Sequence, residues 1–381
     1  MPPSPKESNG SASSPDWTRR TLIGAIVGAT IAAPFVRGRR LSGTEPLTLR
    51  YTSHVPRSHG LYTDGFLPLN EMLVRETEGR LRFEAFTDKL LHGPLDGFKA
   101  TVTGITDYTH AYATYQPGSF HLLHALQLPF LFPRPSVAVL VAEELYPRHF
   151  KTEYERMGVY LAHCDATSPY DIISMSPIRS LEDMRGMRIR VTGGLTAEIF
   201  RVLGAVPMVM AAAEVYPAFQ RGIVDAVALG APDIVVYRLL EIGKYFTNVG
   251  VNVTVLQHCF RRAAFDRLPT DLQDTLYRSF RIRSQLATQN FYGGERAAQS
   301  LDQLDDAGVE RIELSDNERD RWRDALEPLT ETYLRAQEAI GLEPRAVVAD
   351  AQHLAAQYAP MNNADLLRHV AEHPTTGIID Y

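Results

Sequence analysis

Arg188 and Arg190 occupy alternate positions in Met187-Arg188-Ile189-Arg190-Val191, a stretch that reads as a short strand stopped by Gly193-Gly194. Alternate side chains of a strand share a face, so Met187, Ile189 and Val191 form one face and the two arginines the other. An arginine at the carboxyl end of such a strand, just before a Gly-Gly turn that opens a helix, faces the crevice where open α/β sheets bind ligands. Its planar guanidinium can hold a carboxylate through two parallel hydrogen bonds. The competing reading is a solvated strand face, and this stretch alone leaves both open.

Little else in the chain has the spacing of a reaction centre. There is no glycine-rich phosphate loop, no G-x-S-x-G elbow and no H-E-x-x-H pair. The twelve histidines are scattered. His121 and His124 have helical spacing, but no third ligand stands near them in sequence, so they read as packing rather than as a metal site. Glu143-Glu144 and Asp305-Asp306 read as solvated helix faces. No catalytic residue, metal or cofactor is nominated, and the expectation is a protein that is not an enzyme.

Strands and helices alternate along the body of the chain, which predicts βαβ units and a largely parallel sheet. Leu47–Val55, Arg80–Phe86 and Asp107–Thr114 read as strands separated by helices. Val159–Ser176 and Val249–Phe260 are extended runs longer than a usual strand and could each cross between two domains. Between them, Leu195–Leu203, Glu214–Arg221 and Pro232–Tyr245 read as helices. From Thr270 an apolar stripe runs past Gly293-Gly294 to about Gly308, predicting one helix of roughly 55 Å. Ser315-Asp316-Asn317-Glu318 forms a capping box for a further helix.

The chain of 381 residues is long enough for two domains. Its formal charge is −6. Residues 1–40 hold six basic and two acidic side chains, so the remainder carries −10, which argues against nucleic acid as the partner. The two cysteines, Cys164 and Cys259, are too few for a disulfide scaffold, and pairing or separate burial are both open. Arg19-Arg20 before an Ala/Gly-rich apolar run reads as a twin-arginine export signal, cleaved or retained as a tether.

MRGMRIRVTGG, a helix, and then GAVPMVMAAAEVYPAFQRGIVDA together resemble the signature of the TRAP transporter substrate-binding proteins, the DctP-like family. LLHGPLDGFKATVTGITDYTHAYATYQPGSF followed by LPFLF is similar to that family's first-domain pattern, and the resemblance covers roughly residues 46–340. It implies an α/β, periplasmic-binding-protein-like fold: two domains joined by hinge strands, with a long helix spanning both. On this reading residues 1–45 are signal and linker. Residues 46–165 with 257–295 form domain I, 166–256 with 296–340 form domain II and the spanning helix, and 341–381 are C-terminal helices.

The resemblance also implies a periplasmic receptor, monomer or homodimer, that delivers an organic acid to the membrane subunits of an ion-gradient-driven permease. Arg190 falls on the family's carboxylate-binding arginine. Tyr112, Tyr115, Tyr170 and Asp233, the last after Ala231-Pro232, fall where family members place cleft residues. The sequence departs from several branches. Ser168-Pro169-Tyr170 stands where the dicarboxylate and sialic-acid branches resemble G-F-R, with its second arginine. Ala228-Leu229 replaces the E-W pair of the metal-bridged keto-acid branch. A monocarboxylate with an apolar or aromatic body, bound without metal, is therefore expected. A sensory receptor, or an enzyme on the same fold, is the alternative.

Overall fold

In the computed structural model, which describes residues 46–381, the chain forms two α/β lobes, each built on its own sheet. The leader and linker read over residues 1–45 lie outside the described residues. The first sheet takes β1 (Leu47–Thr52), β2 (Leu81–Phe86), β3 (Tyr108–His110) and β4 (Val159–Ala166). The second takes β5 (Asp171–Ser174), β6 (Arg188–Val191), β7 (Val206–Val209), β8 (Ala226–Leu229) and β9 (Tyr245–Asn248). The chain then returns to the first sheet as β10 (Val255–Arg261) and to the second as β11 (Glu310–Glu313). The strand orders are β2-β1-β3-β10-β4 and β11-β9-β5-β8-β6-β7.

Both sheets are mixed, which corrects the expectation of a largely parallel sheet. The βαβ units pair in parallel, as in β1–β2, β1–β3, β6–β7 and β6–β8. The antiparallel pairs all involve strands flanking a crossing, with β10 on β3 and β4, and β5 on β8 and β9. The strand that first enters each sheet from a crossing, β10 in the first and β5 in the second, runs against its neighbours, whereas β11 returns to pair in parallel with β9.

The crossings lie side by side. Thr167 N–H donates to Thr254 O at 3.0 Å, Tyr170 N–H to Asn252 O at 2.8 Å and Val251 N–H to Tyr170 O at 3.1 Å. The two segments bond to each other between the sheets, and Phe130 N–H also donates to the Val251 carbonyl at 3.0 Å; lying outside both ladders, they have the geometry of a hinge.

Two helices differ from their sequence pattern. The helix Thr270–Ala287 continues as a π-turn, Thr288–Tyr292, and stops at Gly293-Gly294 before Glu295–Asp306 begins. A Cβ at Gly294 would run into the Gln289 carbonyl, so the glycine permits a backbone approach that the apolar stripe gives no sign of. The longest uninterrupted helix is Asp316–Glu338, its amide at Glu318 capped by the Ser315 hydroxyl. It bridges the lobes: Arg321 pairs with Glu182 near one end, and the Tyr333 hydroxyl donates to the His121 carbonyl near the other. The helix expected over Pro232–Tyr245 ends at Val236, and Tyr245 instead opens β9. Arg238, at φ +60°, breaks the helical path there.

Candidate functional site

The two arginines of β6 part company. Arg188, at the strand's exposed start, is held by Asp225, with its Nε 3.0 Å from Oδ2. Arg190, two residues on, is wholly buried. The sheet brings Met208 and Val209 alongside β6, and the next residue, Met210, turns its carbonyl onto the guanidinium. Arg190 donates to that one oxygen through Nε at 3.0 Å and Nη2 at 2.8 Å. Nη1 is buried with no partner.

That arrangement is unusual against the chain's other fully buried arginines. Arg281 pairs with Glu143 at 3.2 Å, and Arg283 pairs with Asp165. Arg190 has no carboxylate within ion-pair distance among the described residues. The Nε–Nη2 edge is taken by a carbonyl, so the edge left for a bidentate acceptor is the Nη1–Nη2 end.

At the junction of the lobes lies a small cavity of about 30 Å³. From the first lobe come His54, Val55, His59, Leu61, Tyr112, Tyr115 and Leu256. The second lobe gives Thr192, Ala212, Leu229, Asp233 and Tyr237. Thr167 and Tyr170 come from the first crossing, and Tyr292 from the turn before the Gly-Gly break. Of the residues singled out in the sequence, Tyr112, Tyr115, Tyr170 and Asp233 are thus brought together around one cavity. Arg190 is not among the residues that line it, but its charge reaches Tyr115 and Tyr170. Burial raises the Tyr115 phenol, and Arg190 partly offsets the rise. The Tyr170 phenol is pushed up to about 12 by burial, again offset by Arg190. All five cavity tyrosines are raised by burial and so stay protonated, offering apolar faces with polar tips.

The lobes touch through polar contacts at the cavity rim. His59 Nδ1 accepts from Leu61 N–H at 3.1 Å, so its proton is on Nε2, which donates to Asp233 Oδ1 at 3.1 Å across the cleft. The Ala212 N–H donates to the Tyr115 hydroxyl at 3.4 Å. Gln127 Nε2 donates to Thr196 Oγ1 at 3.2 Å, and Leu195 N–H donates back to Gln127 Oε1 at 3.2 Å. Gly193 and Gly194, both at positive φ, permit this approach, because a Cβ on Gly194 would stand 2.6 Å from Gln127 Oε1.

Sequence reading missed His54, His59, Thr192, Tyr237 and Tyr292. Thr192 alone had a signal, lying between Arg190 and the Gly-Gly turn. The histidines that looked scattered in the chain form a column in space. The rings of His54 and His110 are 5.0 Å apart, those of His110 and His258 4.4 Å, and those of His258 and His163 4.1 Å. Burial lowers all four pKa values, His54 to about 3, so the column is neutral. His163, Asp165 and His258 hold metal-ligating atoms within 4.8 Å of one another. Arg283 already sits on Asp165 and reaches His163 Nδ1 at 3.3 Å, so a guanidinium fills the position a metal cation would take. His121 and His124 find no shared ligand; His124 Nδ1 bonds the Gln127 side chain at 2.9 Å. Cys164 and Cys259 are buried and unpaired, the latter 3.0 Å from Thr101 Oγ1.

Comparison with known proteins gives a consistent setting. The family described as "Bacterial extracellular solute-binding protein, family 7" (DctP) matches residues 52–337. The C4-dicarboxylate-binding periplasmic protein DctP of Rhodobacter capsulatus is 25% identical over 334 residues, covering 86% of this chain and 97% of the relative. A TRAP periplasmic solute-binding protein of Bordetella bronchiseptica, solved with bound (R)- and (S)-mandelate, is 26% identical at a TM-score of 0.76, covering 82% of this chain and 99% of that one. A TRAP solute-binding protein of Rhodoferax ferrireducens in complex with benzoate shares the fold at a TM-score of 0.78 and 16% identity, covering 82% of this chain and 98% of the other.

Proposed function

This chain belongs to the DctP family of bacterial extracellular solute-binding proteins, and we propose that it captures an organic monocarboxylate in the cleft between its lobes and presents it to a TRAP-type permease. The observation that carries this reading is Arg190: a fully buried guanidinium with Nη1 unpartnered and no carboxylate beside it. A buried charge without a partner is expensive to maintain, and a ligand carboxylate supplies the missing half of the pair.

Two further features support a monocarboxylate. No lysine and no arginine lines the cavity, so it presents no pair of cations of the kind a dicarboxylate would use. The walls are tyrosine faces with Val55, Leu61, Leu229 and Leu256, which suit an apolar or aromatic body. The relative with bound mandelate is a precedent for one acid on an aromatic body.

In this reading the crossings Thr167–Tyr170 and Gly250–Thr254 act as the hinge. The leader is a twin-arginine signal that carries the receptor to the periplasm, and the permease subunits recognise the closed form. Arg190, Tyr170, Tyr112, Tyr115 and Asp233 contact the ligand. The test is a thermal-shift screen of residues 41–381 against organic acids. Ligand at ~1,000 times its dissociation constant stabilises the protein by about 4 kcal/mol, a shift easily read. A screen in which succinate or malate far outperforms every aliphatic and aromatic monoacid would reject the monocarboxylate assignment.

A further inference from the structure

A carboxylate held at the Arg190 end accounts for one pole of the ligand. The cavity has a second charged wall, and it is acidic. Asp233, in the first turn of the helix Ala231–Val236, is almost fully buried and faces the same space. Its Oδ1 accepts the His59 Nε2–H, but that ring is neutral because Nδ1 accepts from Leu61 N–H. Asp233 therefore has a hydrogen bond and no counter-charge. No hydrogen bond to Oδ2 is found among the described residues, and the side chain lines the cavity. The surrounding phenols do not serve it. Burial raises those of Tyr237 and Tyr292, and the Asp233 charge raises them further, without a hydrogen bond to it. The Tyr112 hydroxyl is engaged by His110 Nδ1 at 2.6 Å.

Two more polar atoms on the cavity residues are buried without partners, His54 Nδ1 and Thr192 Oγ1. They belong to opposite lobes, so the unmet hydrogen-bonding capacity of the site is not confined to its arginine end. A bare carboxylic acid would satisfy Arg190 and leave the Asp233 carboxylate facing an apolar body, with the His59 hydrogen bond to Oδ1 and none to Oδ2. A ligand that carries a donor corrects this.

We propose, resting on the carboxylate reading above, that the ligand is a substituted monocarboxylate whose hydroxyl or ammonium group donates to Asp233 while its carboxylate is held at the Arg190 end. The shared chemistry is an acid at one pole and a hydrogen-bond donor at the other. An ammonium would also give Asp233 its missing counter-charge.

Isothermal titration with two isosteric series separates the sources: phenylacetate, mandelate and phenylglycine, then propionate, lactate and alanine. In each series the parent, the hydroxy acid and the amino acid differ only in the donor. In the series whose body fits, the substituted acid binds ~10-fold or more tightly than its parent. The tighter of the two substituted members identifies hydroxyl or ammonium. Asp233→Asn reduces that ratio, most steeply for an amino acid, while His59→Gln, which removes the contact between lobes but keeps the aspartate, weakens parent and substituted acids alike. Parents that bind as tightly as their substituted partners, or a ratio that survives Asp233→Asn, overturn this inference and leave the carboxylate reading standing. If no member of either series binds, the monocarboxylate reading fails and this inference falls with it.

Discussion

Replacing buried arginines by methionine should separate structural cations from a binding cation. Arg190 and Arg283 are equally buried, but Arg283 sits on Asp165 whereas Arg190 bonds only the Met210 carbonyl. Arg283→Met strands a buried carboxylate, a loss of about 3–5 kcal/mol. Arg190→Met orphans one carbonyl, costing roughly 1–3 kcal/mol. It also removes a desolvated charge and the unpartnered Nη1, which returns a comparable amount. The ligand-free stability of Arg190→Met should thus stay within about 1 kcal/mol of the parent. Its affinity for the acid found by screening should drop by about 2–5 kcal/mol, some thirtyfold to several thousandfold, because truncation leaves the ligand carboxylate buried and unpaired. Urea midpoints of the ligand-free proteins give the first quantity and calorimetry the second. If Arg190→Met destabilises the ligand-free protein as much as Arg283→Met does, or leaves affinity within threefold, Arg190 is a structural residue and the site has been misassigned.

Acid should weaken the fold steeply. Burial holds His54, His92, His110, His124, His163 and His258 below the ordinary histidine range, so unfolding takes up protons on them once the pH falls below ~6.5. Burial pushes Glu143 and Asp171 the other way, to about 7 each, and these release protons on unfolding in the same window. Histidines outnumber the carboxylates, so the unfolded state binds more protons and stability falls by several kcal/mol per unit as the pH drops from ~6.5 toward 5. Equal urea midpoints at pH 7.0 and 5.5 would contradict this. At Gly194, φ is +59° and an added Cβ meets Gln127 and the His124 ring, so Gly194→Ala should cost about 2–4 kcal/mol. A loss under about 1 kcal/mol in urea unfolding would show that the two lobes need not meet at that turn.

What the sequence made legible was local. A strand ending in Arg-Val-Thr-Gly-Gly announces its own face and its own end, and the two long extended runs announce the crossings. Tyr112, Tyr115, Tyr170 and Asp233 follow strand ends, where side chains reach the junction of the lobes, and one cavity gathers them. What stayed hidden depends on distance through space. His54, His110, His163 and His258 come from four different strands or strand ends, and no spacing along the chain relates them. Tyr292 enters the cavity only because the helix breaks after it. The apolar stripe through Gly293-Gly294 gave no hint of that break, since periodicity records which face is buried but not where another backbone comes too close. The Pro232–Tyr245 segment has a helical composition, and Tyr245–Asn248 is strand because β5 and β11 offer it partners on both sides.

The polar interior around the cleft follows one pattern. Behind the cavity, the first lobe buries its histidines neutral and pairs each charge, Arg283 with Asp165 and Arg281 with Glu143. At the cavity the pattern is broken twice, by a guanidinium with no carboxylate and by a carboxylate with no cation. Both residues come from the second lobe, Arg190 on β6 and Asp233 just after β8, and both are buried, Asp233 against the first lobe's His59. Bringing the lobes together over an empty cleft desolvates two charges without compensation, whereas doing so over a ligand bearing the complementary groups does not. That difference in free energy between the two states is what a ligand needs in order to drive closure in the proposed receptor.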